Sequence, residues 1–492
     1  MLDTALAQLR FAASLAFGAP FHVRSMERIV AAMRATRDEF GALGSDANEL
    51  LAGPQLDDDT RRDIQLRRLR KQTLRALRET PYYERRLADC DVDPARLRWE
   101  DIARLPVTPK EVLRDDPDAL VSRRRTPFLR ATTTGTTGEP ASVWFSEREV
   151  RAMLALSAMS FMTERLIEPD DVVHVGISAR GTLGVMSVVG ASAAIGACAH
   201  VAGALGPQRT LALLAAPRGL PGKRRRVSVA TLYPSALGEL VEHGVRAGYR
   251  PRDFGLRRIL LSGEVATAGL RRRCQALFGD VELYENYAMT EIAPFGGTLC
   301  AEGHLHFEPS TGLVEVLDLD GAGPAAPGRL GTIVATPFAP YRDTTLLLRY
   351  DTGDLVRTLA DPPTCSLRAT PATSAPLGKR ALAVGHEHGW TTQRDVLEAL
   401  EDVPVVPLPA RCALSRVADG VEVQVVARSD GAAARAAIAD ALESRAVPLR
   451  RLRIHADRAE LVAALPARCD LRETTFDIPA PPTYAAATAR AA

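Results

Sequence analysis

Apolar side chains recur at helical spacing near the start of the chain. Four of them follow the helix-capping residue Ser25 at positions i, i+3, i+4 and i+7: Met26, Ile29, Val30 and Met33. A second periodic stretch covers 65–79 and ends where Pro81 prevents further helical turns. Between the two, residues 43–60 contain a Gly-Pro pair and three consecutive aspartates, which are typical of a linker. We therefore expect a helical N-terminal extension and linker over 1–64.

Short apolar runs alternate with helical patterns in the middle of the chain. Runs such as 172–177 and 258–261 have the length and composition of buried strands. Amphipathic stretches such as 147–165 and 270–277 lie before and after them. Because strand–helix alternation is typical of a parallel sheet covered by helices, the pattern predicts a large, layered α/β body over 65–377.

The pattern changes twice in the second half of the chain. Around 315–357 helical spacing disappears and strand patterns with glycine and proline turns take over, which predicts a β-rich subdomain. Residues 359–377 have the Pro, Thr, Ser and Ala composition of a linker. Two short helices and two strands then alternate within 378–478, so we expect a small α+β C-terminal lid domain. The Pro- and Ala-rich tail, 479–492, is expected to be disordered.

Composition narrows the class of protein. A chain of 492 residues exceeds the size of one ordinary core, which supports the division into domains. Its 62 basic and 60 acidic residues leave a net charge of +2. The chain therefore lacks the excess of positive charge that would favour nucleic-acid binding. No apolar run reaches the roughly 18–20 residues of a membrane span. Asp3 and Arg10 interrupt the first apolar pattern, which indicates an amphipathic helix rather than a signal peptide and predicts a cytoplasmic protein.

The cysteines indicate neither a disulfide framework nor a zinc ribbon. The chain has seven cysteines, none of them in a Cys-x-x-Cys pair. Cys300, His304 and His306 stand close enough in sequence to supply metal ligands, but no second compact pair follows them. The favoured interpretation is a loop cysteine beside two surface histidines, with a zinc site as the alternative.

Residues 131–140 form a segment rich in threonine and glycine. Its glycines allow backbone N–H groups to turn toward an anion, and its hydroxyls add uncharged donors. This chemistry suits the phosphates of a nucleotide, although the segment is not a P-loop because no Gly-Lys-Ser/Thr ends it. The alternative is a flexible surface loop.

Two further segments give this loop a family context. Residues 284–291 read Tyr-Glu-Asn-Tyr-Ala-Met-Thr-Glu, and 349–355 read Arg-Tyr-Asp-Thr-Gly-Asp-Leu. In this order the three segments resemble the adenylate-forming superfamily, and specifically its phenylacetate–CoA ligase-like branch. They are similar to that family's Thr/Gly phosphate loop, its Tyr-Gly-x-Thr-Glu segment and its Arg-Tyr-x-Thr-Gly-Asp segment. Residues 80–83 and 105–114 resemble the opening region of the branch, and the resemblance extends over about 65–400.

The resemblance implies a set of residues for ATP and its metal. The Thr/Gly loop would fold over the β- and γ-phosphates through Thr133, Thr134, Gly135, Thr136, Thr137 and Gly138. Thr290 would offer its hydroxyl to the α-phosphate, and Glu291 would offer an oxygen ligand to Mg²⁺. Tyr287 would pack against adenine, opposite the backbone of Gly263 and Glu264.

Two further roles follow from the same resemblance. Asp354 would accept hydrogen bonds from both ribose hydroxyls, and its alternative is an ordinary turn aspartate. Tyr233 and Pro234 would form an aromatic–proline wall of the acyl pocket. His174 and Arg180, from the segment 174–184, would line another part of it. His174 has a second interpretation, a histidine of the core. The implied substrate is a small, aromatic carboxylic acid.

The chain departs from the family pattern in three places. Ala288 replaces a glycine, and the hinge segment 377–381 lacks the usual acidic pair. The family's C-terminal lysine, which joins the substrate carboxylate to the α-phosphate, has no counterpart, because no lysine follows Lys379. Arg468 or Arg472 is the predicted replacement, since a guanidinium can bind carboxylate and phosphate bidentately.

We therefore predict an enzyme that uses ATP and Mg²⁺ to activate a carboxylic acid as an acyl-adenylate. The acceptor would be CoA, a carrier-protein thiol or an amine. Lys379 and Arg380 at the hinge are further candidate cations, for catalysis and for ATP respectively. The scarcity of lysine, which occurs only at positions 71, 110, 223 and 379, makes each one a candidate. The alternatives are a primary-metabolic CoA ligase and a degenerate member that binds nucleotide or acyl-adenylate without catalysing adenylation.

Overall fold

The structure is a computed structural model that describes residues 2–17, 22–40, 57–88, 90–133, 140–178, 181–319, 323–387 and 389–465. Its helices are α1 (Leu2–Phe17), α2 (Val23–Phe40), α3 (Asp58–Glu79), α4 (Pro81–Arg86), α5 (Val112–Asp115), α6 (Glu147–Thr163), α7 (Thr182–Ile195), α8 (Pro207–Ala215), α9 (Pro234–Arg246), α10 (Ala268–Phe278), α11 (Gln393–Leu400), α12 (Ala432–Ser444) and α13 (Arg458–Ala464). Short 3₁₀ turns cover Trp99–Arg104, Pro117–Leu120, Pro251–Asp253 and Arg380–Leu382. None of the helices described is both long and apolar enough to cross a membrane.

The strands are β1 (Leu129–Thr132), β2 (Ser142–Phe145), β3 (Val172–Val175), β4 (Cys198–Val201), β5 (Val229–Leu232), β6 (Arg258–Ser262), β7 (Glu282–Ala288), β8 (Gly296–Leu299), β9 (His304–Phe307), β10 (Gly312–Asp318), β11 (Leu330–Pro337), β12 (Tyr350–Arg357), β13 (Ala372–Ser374), β14 (Gly378–Lys379), β15 (Val384–His386), β16 (Gly389–Thr391), β17 (Cys412–Val417), β18 (Gly420–Val426) and β19 (Leu449–His455). Eight of them form the central sheet, in the order β13-β9-β8-β7-β6-β5-β3-β4. The five strands from β7 to β4 in this order are parallel, and β8, β9 and β13 continue the sheet antiparallel. The parallel half, with its intervening helices, confirms the layered α/β prediction.

Two smaller sheets correspond to the predicted β-rich and α+β regions. Strands β10, β11, β12 and β14 form an antiparallel sheet of four. Strands β17, β18 and β19 form a sheet of three, whose apolar side chains share a core with those of α11 and α12. The predicted hinge lies in β14, where Gly378 and Lys379 pair with the strand that carries Asp354.

The N-terminal helix is confirmed, but the linker after it ends earlier than predicted. Met26 and Val30 pack against α6 and α7 as the apolar stripe requires. Helix α3 begins at Asp58 rather than at residue 65, because the carboxylate of Asp57 accepts the N–H of Thr60 at 2.8 Å and caps the helix. The aspartates of the expected linker are therefore the start of a helix that continues into the body.

The prediction of a second linker over 359–377 is wrong. Its residues Ala372–Ser374 form β13, which pairs with β9 at the edge of the central sheet. Cys365 is buried in the same region, and it contacts His306 of β9. His306 is itself only 4% exposed, so the expectation of two surface histidines is wrong for this residue. Local composition did not reveal this packing because the partner strand lies far away in the sequence.

Candidate active site

A buried glutamate follows the central strand β7. Glu291 is 2% exposed, and it lies in the turn that begins after Ala288. The Lys110 ammonium lies 2.9 Å from Oε1 of Glu291, and the Tyr350 hydroxyl donates a hydrogen bond to the same oxygen at 3.1 Å. Burial opposes ionisation of this carboxyl, but the charge and hydrogen bond of Lys110, together with a backbone hydrogen bond and the charge of Lys379, hold the pKa of Glu291 below its usual value. Glu291 is therefore a carboxylate at neutral pH.

A second buried carboxylate belongs to Asp354 of β12. Asp354 is 6% exposed, and its Oδ1 lies 2.5 Å from the ammonium of Lys379 on the neighbouring strand β14. The Tyr287 hydroxyl donates a hydrogen bond to Oδ2 at 2.8 Å. Burial acts against the charge of Lys379, but Asp354 outweighs it and raises the pKa of Lys379. Lys379 is therefore an ammonium at neutral pH.

The two pairs form one group, which we call the carboxylate–lysine centre: Lys110, Glu291, Tyr350, Tyr287, Asp354 and Lys379. The charge of Glu291 also stabilises the Lys379 ammonium, which shows that the pairs interact. Burial and the nearby carboxylates raise the pKa of Tyr287 and Tyr350 well above the usual range, so both phenols keep their protons and remain donors. The centre brings two carboxyl groups and two lysines together in a largely buried space.

The sequence analysis assigned no role to Lys110 or Tyr350. Lys110 lies in a segment between helices. A backbone hydrogen bond from the N–H of Thr108 to the carbonyl of Arg349, at 2.9 Å, holds this segment beside the start of β12. Two sequence signals point to Lys110: its place in the segment 105–114, which resembles the opening region of the family branch, and the scarcity of lysine. Lysine occurs at only four positions, and two of the four lie in the carboxylate–lysine centre. Lys223, by contrast, donates to the backbone carbonyls of Pro169 and Gly196.

The loops after β5 and β6, the two strands that precede β7 in the order of the parallel sheet, carry four of the predicted site residues: Tyr233, Pro234, Gly263 and Glu264. Gly263 has a φ of +85°, and a Cβ at this position would lie 3.2 Å from the Tyr233 ring, so its backbone covers the ring closely. The side chain of Glu264 accepts hydrogen bonds from the N–H and the hydroxyl of Ser235, each at 2.9 Å. The side chain of Glu264 therefore caps helix α9, which Pro234 begins.

Two residues predicted to bind ATP have protein partners in the structure. The hydroxyl of Thr133 accepts the N–H of Ala141 at 3.0 Å, and this contact closes the base of the Thr/Gly loop. Arg380 donates to Oδ2 of Asp351 at 2.8 Å. Thr290, which precedes Glu291, is half-buried. The structure thus brings Tyr287, Glu291, Asp354 and Lys379 together, while Thr133 and Arg380 contact neighbouring backbone and side chains.

His174 lies in the core. It is fully buried in β3, and its ring faces that of His200 with the centroids 6.0 Å apart. Burial, followed by the charges of His200 and Arg218, lowers the pKa of His174 to about 4, so its imidazole is neutral. These surroundings favour the interpretation of His174 as a core histidine over that of a substrate contact.

Eight of the predicted residues lie outside the described part of the chain. They are Thr134, Gly135, Thr136, Thr137, Gly138, Arg180, Arg468 and Arg472. Their roles therefore stay predictions. Of the described members, Tyr233, Gly263 and Glu291 follow the carboxyl ends of β5, β6 and β7, the end of a parallel sheet where α/β proteins bind ligands. Asp354 and Lys379 lie on β12 and β14 of the four-stranded antiparallel sheet.

The fold is that of the adenylate-forming enzymes. The model of the AMP-binding enzyme family matches residues 69–336, more than half of the chain, and the chain belongs to this family. A phenylacetate-coenzyme A ligase from Pseudomonas putida is 25% identical over 327 residues, which are 64% of this chain and 71% of that protein.

Solved structures of similar fold include a 2-hydroxyisobutyryl-CoA ligase. In its postadenylation state with 2-HIB-AMP the TM-score is 0.68 at 20% identity, covering 88% of this chain and 92% of that one. In its thioesterification state with 2-HIB-AMP and CoA the TM-score is 0.56 at 21% identity, covering 82% and 87%. These similarities confirm the predicted superfamily and fold class.

Proposed function

We propose that this protein is an acid–thiol ligase. It would activate a small carboxylic acid with ATP and Mg²⁺ to an acyl-adenylate and pyrophosphate, and then transfer the acyl group to the thiol of CoA. The carboxylate–lysine centre is the observation that carries this proposal. Membership of the AMP-binding family supports the nucleotide, and the similarity to phenylacetate-coenzyme A ligase supports an aromatic acid and CoA.

Glu291 has the properties of a magnesium ligand. Its carboxylate is ionised, its charge is shielded from solvent, and both of its side-chain partners contact Oε1. Hard oxygen ligands of this kind, few in number, suit Mg²⁺, which keeps several waters and binds substrate phosphates. When bound, the metal would neutralise charge that develops on the phosphates as pyrophosphate leaves. Thr290 would hold the α-phosphate through its hydroxyl.

Asp354 would accept the ribose hydroxyls, and the two lysines would supply cations for the anionic substrates. ATP and a carboxylate repel each other in a site of low dielectric, so nearby positive charge lowers the barrier to their approach. No lysine follows Lys379 in the sequence, and its ammonium contacts Asp354, the carboxylate proposed to bind the ribose. We infer that Lys110 and Lys379 bring this charge, and that Arg468 or Arg472 completes it at the acyl carboxylate.

The test measures the two half-reactions separately. Exchange of labelled pyrophosphate into ATP should depend on an added acid, and a panel of aryl and small alkyl acids should show its strongest exchange with an aryl acid. With the best acid, CoA should be converted to a thioester that mass spectrometry identifies. Loss of exchange in Arg468→Ala or Arg472→Ala, but not in both, would identify the bridging cation. No exchange with any acid of the panel would contradict the proposal.

A second candidate is a family member that binds ATP or an acyl-adenylate without forming the adenylate. The lack of a lysine after Lys379 favours it. Under this candidate ATP would still raise the unfolding temperature, whereas pyrophosphate exchange would be absent. Turnover of a chemically supplied acyl-adenylate with CoA would then distinguish a transferase from a binding protein.

A further inference from the structure

Four side chains that could bind a metal meet at one edge of the central sheet, outside the carboxylate–lysine centre. This Cys–His cluster consists of Cys300, His304, His306 and Cys365. Cys300 lies in the turn between β8 and β9, the two histidines belong to β9, and Cys365 precedes β13. His306 and Cys365 are buried, and the other two are partly buried.

The spacing of the donor atoms suits a tetrahedral metal site. One ligand atom from each of the four side chains lies within 4.8 Å of all the others. In a tetrahedral zinc site, Zn–S bonds of about 2.3 Å and Zn–N bonds of about 2.0–2.1 Å place the ligand atoms roughly 3.3–3.8 Å apart. The sulfur of Cys365 and Nε2 of His306 are already 3.1 Å apart. The cluster therefore needs only small side-chain movements to surround an ion.

The histidines are oriented as ligands usually are. His306 directs Nε2 at Cys365, while its Nδ1 lies 3.1 Å from the hydroxyl of Thr370. A metal-bound histidine almost always uses its second nitrogen in such a contact, which sets the tautomer and the ring plane. The Nδ1 atom of His304 is shielded from solvent and has no hydrogen-bond partner within the described chain, although a carboxylate oxygen of Glu302 lies 3.9 Å away.

The backbone around the cluster also has a fixed shape. The N–H of Cys300 donates to the carbonyl of His304 at 2.9 Å, and Gly303 turns the chain with a φ of +80°. The N–H of His304 donates to the sulfur of Cys300 at 3.4 Å. Residues Ala372–Ser374, a few positions after Cys365, pair with β9. Both halves of the cluster are thus held in place by main-chain contacts.

We propose that the Cys–His cluster binds one structural Zn²⁺ ion. Two thiolates and two neutral imidazoles balance the charge of the ion, and a tetrahedral set of two sulfurs and two nitrogens is typical of zinc. Four protein ligands leave no open position for a substrate, so the ion stabilises the fold rather than taking part in chemistry. The ion would join the β8–β9 turn to the segment before β13. Strand β8 in turn pairs with β7, where Gly297 lies opposite Tyr287.

The first experiment measures metal in the full-length protein purified without a metal-affinity tag. After incubation with zinc and dialysis, plasma mass spectrometry should find one zinc per chain. Replacement by Co²⁺ should give the visible d–d bands and the thiolate charge-transfer band of a tetrahedral site. Absence of bound metal in the parent protein, or a disulfide between Cys300 and Cys365 in place of the ion, would overturn the proposal.

Variants assign the ligands. Cys365→Ser and His304→Ala should each lose most of the zinc, and a chelator should lower the unfolding temperature of the parent but not of these variants. Cys198→Ser is the control, since Cys198 is a cysteine of the same sheet but lies at its opposite edge. Retention of a full equivalent of zinc in Cys365→Ser would overturn the assignment. If both ligand variants failed to fold, the metal content and the cobalt spectrum of the parent would still decide.

Discussion

Two buried glutamates of this molecule have opposite surroundings, and the difference separates structure from function. Glu149 of α6 is 1% exposed and accepts five hydrogen bonds from its own fold. The donors are the N–H groups of Ser146, Asp343 and Thr344 and the hydroxyls of Ser146 and Thr344. Every part of this carboxylate is used to hold the start of a helix against the segment before β12.

Glu291 is equally buried but far less saturated. Its side-chain partners are one lysine and one tyrosine, both at the same oxygen. An ammonium on a flexible stem neutralises charge without the fixed geometry of backbone donors, and it can exchange partners when a ligand arrives. A carboxylate saturated by backbone donors therefore stabilises the fold, whereas one balanced by a lysine keeps lone pairs for a metal.

The largest expected effect is a loss of stability when Glu149, the glutamate that holds the fold, is removed. Glu149→Ala would remove five hydrogen bonds and leave the buried guanidinium of Arg342 without its main counter-charge. We expect a loss of roughly 3–5 kcal/mol in the free energy of unfolding, the usual cost of breaking a buried charge network. Denaturant titration followed by circular dichroism measures it. A loss within the range of surface substitutions would show that the network does not hold the fold together.

Asp354→Ala should separate ligand binding from stability. Because ligand bound only to the folded state raises the unfolding temperature according to its occupancy, this variant should lose the shift that ATP produces in the parent. Asp351→Asn is the matched control, three residues earlier on the same strand, and it should keep the shift. Equal ATP-induced shifts in Asp354→Ala and the parent would contradict the ribose assignment.

Lys110→Gln should change the pH dependence of the reaction. In the parent, Lys110 holds the pKa of Glu291 below its usual value, so the carboxylate stays ionised until the pH falls through that lowered pKa. Without the ammonium, burial remains and raises the pKa of Glu291. The acid limb of the pyrophosphate-exchange profile should therefore move to higher pH. Arg123→Gln, an exposed surface change, should leave the profile in place. An unmoved acid limb in Lys110→Gln would show that the lysine does not tune Glu291.

Local patterns predicted the fold well, and contacts between distant segments were the part they missed. The runs 172–177 and 258–261 became β3 and β6, because the apolar character of a strand is encoded in the strand itself. Residues 359–377 were misread because the pairing of β13 with β9 leaves no trace in local composition. The start of α3 was missed because aspartates occur both in linkers and at helix caps.

The same division applies to the site. Motif resemblance predicted Tyr287, Glu291 and Asp354, and the structure brings them together. The Lys110–Glu291 pair and the fourth member of the Cys–His cluster join segments that no motif links. For the first, the sequence signals were the scarcity of lysine and the resemblance of 105–114 to the family, neither of which indicates the contact with Glu291. Cys365 had no signal, since it stands alone in an expected linker.

The central claim is that Glu291 serves a metal rather than the fold, and Glu291→Gln tests it most directly. This change keeps the shape of the side chain and removes its charge. Acid-dependent pyrophosphate exchange is measured over a magnesium titration, beside the unfolding temperature of the same protein. We expect exchange to fall by about 10²–10³-fold, the effect of losing one preorganised charge-stabilising group, while the unfolding temperature stays near that of the parent. Unchanged exchange with the same magnesium dependence, or a collapse of the fold, would contradict the account.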